Sequence, residues 1–237
     1  MNLLAFESSA KAASAALLSD GCLLAEYTQN SGQTHSRTLM ELAKNMITGC
    51  DLTPQDIDAV AVAAGPGSFT GVRIGMACAK GFAWGHQLPL YGVSTLEAMV
   101  RGAACADGCY CACMDARKGQ IYNALFVWTA GTLLRRTEDR AIAISELSQE
   151  LQTISGPVYL IGDGAKLVFD TLKDENLPLQ LLPEHLRQQR ASGVALAAME
   201  KIAANETGDA AALTPNYLRQ AQAERTRQHD KDFYLKK

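Results

Sequence analysis

An excess of charge of one sign is the first thing this 237-residue chain lacks: 22 Lys and Arg stand against 25 Asp and Glu, a net charge of −3 at pH 7. Dedicated nucleic-acid binders are usually strongly basic, so composition argues against that class. Long apolar runs are missing too. No stretch approaches the ~20 residues of a membrane-spanning helix. The opening MNLLAFESSA has no basic region and too brief an apolar part for a secretory signal. The expectation is a cytoplasmic protein with no membrane partner. The four histidines (His35, His86, His185, His229) include no pair spaced four apart, which excludes a helical metal-binding pair. Seven cysteines are an odd number with apolar neighbours. Cys109, Cys111 and Cys113 alternate along one predicted strand face, with no second pair or nearby histidine. Reduced, packed thiols fit better than disulfides or a metal cluster. No Gly-x-Ser-x-Gly elbow is present either.

Hydrophobic residues at 48% and charged residues at 20% describe an ordinary globular chain. Leu3 to Phe6 reads as a strand ending in Glu7, Ser8 and Ser9. Ala13 to Leu18 and Cys22 to Thr28 flank Asp20-Gly21, a hairpin signal. A helix is predicted from Ser36 to Cys50, a start or capped turn at Thr53-Pro54, and strands at Ile57 to Ala64 and Leu88 to Val93. Ser94 and Glu97 read as a capping box for a helix from Thr95 to about Ala104. Two runs between Cys109 and Trp128 flank Lys118-Gly119 as a second hairpin. Further elements follow near Ser145–Leu151, Val158–Ile161, Ala165–Leu172, Leu177–Leu182 and Ser192–Ala204. The pattern is α/β with two halves, each opening on a hairpin. The expected division is 1–104 and 105–237, the second half ending in a polar, frayed tail.

The segment GPGSFTGVRIGMACAKGFAWG, Gly65 to Gly85, organises the rest. A glycine turn leads into a helix that is apolar nearly all round, which implies burial on more than one side. Gly71, Gly75 and Ala79 recur four apart, and Gly81 and Gly85 repeat that spacing. An interior glycine costs roughly 1 kcal/mol against alanine, so another backbone is expected to come close. That backbone belongs either to a second molecule or to the chain's own domain. Arg73 is the odd charge, set either to meet an acidic partner group or to reach the surface. Strand, glycine turn and helix start are also the ingredients of an anion site, with Glu7, Ser8, Gly67 and Ser68 as weak candidates. The Walker pattern and GxGxxG both fail here, because no Gly-Lys-Ser/Thr follows and the glycines fall at 65, 67 and 71. Asp115 closes the strand equivalent to that of Glu7, a layout shared with ATPases of duplicated halves; in the plain alternative each acid only meets water.

FESSAKAASAAL, THS, GPGSFTGVRIG, GVSTLEAM, MDARKGQIY and TPNYLR, in this order over nearly the whole chain, resemble the TsaB (YeaZ) family. The resemblance implies an actin-like ATPase fold with two ribonuclease-H-like halves, each a mixed sheet with flanking helices. It implies a non-catalytic subunit that scaffolds and activates TsaD. TsaD transfers a threonylcarbamoyl group to N6 of the adenosine beside the anticodon in tRNAs reading codons that begin with A. TsaE, an ATPase, is the implied third member, and a homodimer is implied for the subunit alone. ATP and a metal are expected on partner subunits, none on this one, and tRNA is met through the complex.

The catalytic paralogue carries a His-x-x-x-His pair, whereas here His35 is followed four places on by Leu39. The family's usual first acid is Asp, replaced by Glu7, which weakens the case for nucleotide binding. The resemblance places the partner interface on the first two helices, at Leu39, Ala43, Met46, Gly71, Gly75, Cys78, Ala79 and Phe82. On that reading Gly75→Leu leaves the monomer folded and blocks pairing. Arg225, Arg227 and Lys231 are candidate RNA contacts, against a solvated tail. The alternatives are a self-sufficient actin-like ATPase or kinase, or a glycoprotease-family peptidase.

Overall fold

The computed structural model describes residues 1–219; the polar tail with Arg225, Arg227 and Lys231 lies outside them. β1 (Asn2–Glu7), β2 (Ala13–Ser19) and β3 (Cys22–Gln29) form an antiparallel meander. Asp20 and Gly21, at φ 49° and 80°, make the turn between β2 and β3, left-handed angles whose twist suits a two-residue hairpin. β4 (Ala59–Ala63) and β5 (Leu90–Val93) then add in parallel, giving the order β3-β2-β1-β4-β5. β4, AVAVA, is buried at every position, as expected of a parallel strand covered on both faces.

α1 (His35–Gly49) and α2 (Phe69–His86) cover one face of this sheet. Leu4, Phe6, Leu17, Leu39 and Met46 are sealed there; each large side chain so buried contributes about 1.5–3 kcal/mol. α7 (Ala191–Ala203) covers the opposite face through Val194, Ala195 and Ala198.

The second sheet is built from β6 (Gly108–Asp115), β7 (Gln120–Thr129), β8 (Thr132–Arg135), β9 (Arg140–Ala143), β10 (Val158–Ile161) and β11 (Leu179–Leu181). Its order is β11-β10-β6-β7-β8, with β9 beside β7. β6 pairs antiparallel with β7 and parallel with β10, as β1 does with β2 and β4. Read from β8 to β11, this is the order of the first sheet. Two sheets repeating one order, with helices against them, form the actin-like ATPase fold. α4 (Ile144–Leu151) and α5 (Ala165–Leu172) pack on one face of the second sheet. α3 (Thr95–Ala103) turns Ala98 toward the first sheet and Leu96, Met99 and Val100 toward the second.

Several local expectations change. β8, β9 and α6 (Glu184–Arg187) are four-residue pieces without the continuous apolar run that marks β10 at the same length. Thr53-Pro54 starts only one 3₁₀ turn, Pro54–Asp56, capped by the Asp56 carboxylate accepting from the Thr53 N–H. The Ser94 hydroxyl does cap α3, but the Glu97 carboxylate turns to Arg101 and Arg135 instead of completing the box. The chain passes from one sheet to the other between residues 103 and 108, yet α7, from the C-terminal part, packs under β1, β2 and β4. Cutting the chain at residue 104 therefore parts the two sheets without parting their cores. The seven cysteines are free; Cys109, Cys111 and Cys113 are buried, while Cys22 and Cys105 are exposed. Burial pushes the Cys109 thiol up to about 12, an inert packed group.

Candidate functional site

The first motif and the glycine turn fold onto each other. The chain leaves β1 through Ser8 and Ser9, and the start of α2 lies directly on that exit. The Ser68 N–H donates to the Ser9 carbonyl at 2.7 Å, and the Ser8 hydroxyl to the Gly71 carbonyl at 2.9 Å. A Cβ at Gly67 would stand 2.5 Å from the Ser9 carbonyl oxygen; one at Gly71 would fall on the Ser8 carbonyl, and one at Gly75 on the Ser8 hydroxyl. No other residue fits at these approaches. The first glycine stripe thus serves the chain's own β1 exit.

Between the halves, the ends of β1, β4, β6 and β10 open on a cavity of about 820 Å³, bordered by Ser9, Gly67, Ser68, Asp115 and Asp163. Glu7 lies beneath it, 1% exposed. One of its oxygens accepts from the Ser9 N–H, and Oε2 has no partner among the described residues. Burial raises its pKa to about 7, with the Ser9 hydrogen bonds opposing and the Asp163 charge assisting. Asp163, open to the cleft on one side and enclosed by protein on the others, is also raised, chiefly by lost hydration, and accepts from Gln189 at 3.1 Å. Asp115 accepts from the Arg117 N–H at 2.7 Å.

Nucleotide-dependent chemistry on this fold would call for a metal, and the donors do not fit one. Among the described residues no three His, Cys, Asp or Glu side chains converge as metal ligands. The Glu7 carboxyl is sealed under Ser9. His35, the single counterpart of the paralogue's pair, is held by the Ala10 carbonyl at 2.8 Å from Nε2.

The residues expected at a partner interface divide. Leu39, Ala43, Met46, Gly71, Gly75 and Ala79 are buried within this chain, while Cys78 and Phe82 are half-buried. The apolar stripe of α1 is spent on the chain's own sheet. The available face of α2 is its outer one. Ala77, Gly81, Trp84 and Gly85 are exposed there, Trp84 by 61%. A Cβ at Gly81 or Gly85 would meet nothing within 4 Å among the described residues. Met40 of α1 is 38% exposed. The second glycine pair and the off-stripe Met40 were the signals for this face.

Arg73 is exposed, and among the described residues it packs on aromatic rings and meets no acid. Its guanidinium carbon lies 3.7 Å from the Phe69 ring centre and its Nε donates to the Tyr217 hydroxyl at 2.7 Å; Phe69 and Tyr217 stack at 4.8 Å. Tyr217 belongs to the TPNYLR motif, but its pairing with Arg73 is not legible in the sequence, because 144 residues separate the two.

Comparisons with known proteins agree with this architecture. Residues 23–227 match the model of the family described as TsaD, tRNA N6-adenosine threonylcarbamoyltransferase. The tRNA threonylcarbamoyladenosine biosynthesis protein TsaB of Bacillus subtilis is 33% identical, over 94% of this chain and 96% of its own. That of Escherichia coli is 34% identical over 76% and 79%. The structure of YeaZ from Pseudomonas aeruginosa shares the fold with a TM-score of 0.75 at 23% identity, covering 92% of this chain and 99% of that one. With the repeated sheets, the packed glycine turn and near-full-length relatives in agreement, the chain belongs to the TsaB family of tRNA threonylcarbamoyladenosine biosynthesis proteins, within the wider threonylcarbamoyltransferase family whose model it matches.

Proposed function

We propose that this chain is the non-catalytic subunit that pairs with TsaD and activates its transfer of the threonylcarbamoyl group to N6 of the adenosine beside the anticodon. The observation that carries the reading is the outer face of α2: small residues at Ala77, Gly81 and Gly85 beside an exposed Trp84. Small residues let a second helix approach closely, and a tryptophan at the rim supplies buried area and an anchor. A paralogous partner with the same two helices would complete a four-helix packing around this face. Alone, two copies would meet through the same face, and TsaE would engage the assembled pair.

The cleft supports a helper rather than a catalyst. Glu7 is sealed, Asp163 is bound by Gln189 and Asp115 by the Arg117 backbone. No side chain described there combines a nucleophile with a base that could activate it. ATP and metal belong to the partner subunits in this scheme.

The test is co-expression with TsaD, size-exclusion of the pair, and measurement of threonylcarbamoyladenosine in tRNA. Trp84→Glu is expected to separate the pair and abolish the modification while leaving the monomer's thermal midpoint unchanged. An intact pair would reject the interface. Substantial ATP turnover by the chain alone would favour the self-sufficient ATPase instead.

A further inference from the structure

We propose that the cleft between the two sheets receives a single-stranded segment of RNA, stacked on Tyr217 and held through its phosphates by Lys11, Arg117 and Arg219. This goes beyond the scaffold role: it gives the chain a direct RNA contact, away from the Trp84 end of α2. It depends on the family reading only for the choice of RNA probe.

Charge is the first argument. The chain is net negative, −3, yet the cleft is lined by five cations against three acids. Lys11, Arg117 and Arg219 are joined there by Lys166 and Arg187, facing Asp115, Asp163 and Glu184. Burial disfavours the charged form of the Glu7 carboxyl beneath it. A positive groove in an acidic protein matches a polyanion locally rather than by overall composition.

Distribution is the second. Lys11 stands between β1 and β2, Arg117 between β6 and β7, Arg187 at the end of α6, and Arg219 on the segment that follows α7. The cations come from both halves and border the cleft instead of gathering at one point. A lone mononucleotide concentrates its phosphates in one place, whereas a strand presents them in succession. Arg219 is already fixed at the rim by donating to the Ala116 carbonyl.

Stacking is the third. Phe69 and Tyr217 both line the cleft, stacked at 4.8 Å, with the Arg73 guanidinium against Phe69 and bonded to the Tyr217 hydroxyl. Tyr217 remains 40% exposed, an aromatic surface fixed in place by its neighbours. Every base offers a π-face to such a platform, so an unpaired strand binds it whatever its sequence, whereas a duplex hides its bases.

Unpartnered polar atoms are the fourth. Ser9 Oγ, Arg187 Nε and Gln189 Oε1 are buried at or beneath the cleft without hydrogen-bond partners among the described residues. Buried polar groups normally have one, and Ser9 and Arg187 border the cavity.

The test is fluorescence anisotropy with a labelled 17-nucleotide anticodon stem–loop, using the full-length chain alone and co-purified with TsaD. Tyr217→Ala is expected to weaken binding about tenfold, and Tyr217→Phe to retain it. Lys11→Glu and Arg117→Glu, at exposed positions that do not threaten folding, should weaken binding and lower the salt dependence by about one counterion each. A fully paired duplex should bind more weakly. All these variants should still co-elute with TsaD, whereas Trp84→Glu should not, which separates a failure here from a failure of the scaffold reading. Absence of wild-type binding in both forms, unchanged affinity in Lys11→Glu and Arg117→Glu, equal binding of the duplex, or displacement by ADP as effective as by unlabelled loop would each overturn the proposal.

Discussion

The Ser8 hydroxyl donates to the Gly71 carbonyl at 2.9 Å, joining the exit of the first strand to the first turn of α2. Ser8 is buried and so are Gly71 and Gly75. Helix and strand end lie in contact because no side chain stands between them, and the cleft wall is built on that contact.

Gly75→Leu is therefore expected to damage the monomer, contrary to the reading of the glycine stripe as a partner surface. Its Cβ would fall on the Ser8 hydroxyl, and overpacking of this kind costs roughly 1–3 kcal/mol or more. Chemical denaturation would show a lowered midpoint for Gly75→Leu and an equal or raised one for Gly81→Leu, whose Cβ meets open space among the described residues and which removes a helix-interior glycine.

Gly81→Leu should act on assembly instead. A leucine on the outer face of α2 holds an approaching helix away, so co-elution with TsaD is expected to fall at least tenfold. An undiminished complex would place the interface elsewhere on the molecule.

Glu7 makes a prediction about pH. Its carboxyl is raised from 4.5 to about 7, with burial as the main cause, so the folded state holds this proton more tightly than the unfolded chain. Between about pH 4.5 and 7 the native state binds more protons, and stability falls as pH rises through that window. The contribution is about 3 kcal/mol, gone above pH 7. Glu7→Gln, neutral throughout, should flatten this part of the profile and be more stable than the wild type at pH 8. Urea midpoints at pH 5, 6, 7 and 8 check it; parallel profiles for both proteins would contradict it.

Glu97 ties the halves together. It pairs with Arg101 on its own helix at 2.9 Å and with Arg135 of β8 at 3.0 Å, all three partly buried. Those arginines hold its carboxyl below the usual range against the opposing effect of burial. Glu97→Ala leaves two guanidinium groups without this carboxylate and should destabilise by about 1–3 kcal/mol. A change below a few tenths of a kcal/mol in urea unfolding would show the network to be inconsequential.

Much of the fold was legible along the chain because its elements carry strong local signals. Asp20-Gly21 and Lys118-Gly119 mark hairpins, and Ser94 caps α3. The short β8, β9 and α6 lack the buried apolar run that marks β10 at equal length and are held by neighbours instead. The candidate site was legible in pieces. Glu7, Gly67 and Ser68 stood out, but Gln189, buried against Asp163 beneath the cleft, and Tyr217, on its lining, stand more than a hundred residues further along the chain. Tyr217 lies in the TPNYLR motif, but nothing near either residue along the chain shows where it packs.

By itself the sequence determined the family, the succession of strands and helices and the need for a backbone close to α2, since each rests on nearby residues. Only the tertiary structure decided which backbone that is. Four-residue spacing of small residues records that something approaches, and it is the same at Gly71 and Gly75 as at Gly81 and Gly85. The β1 exit occupies the first pair and leaves the second open to solvent, because sheet packing turns one side of the helix inward and the opposite side away.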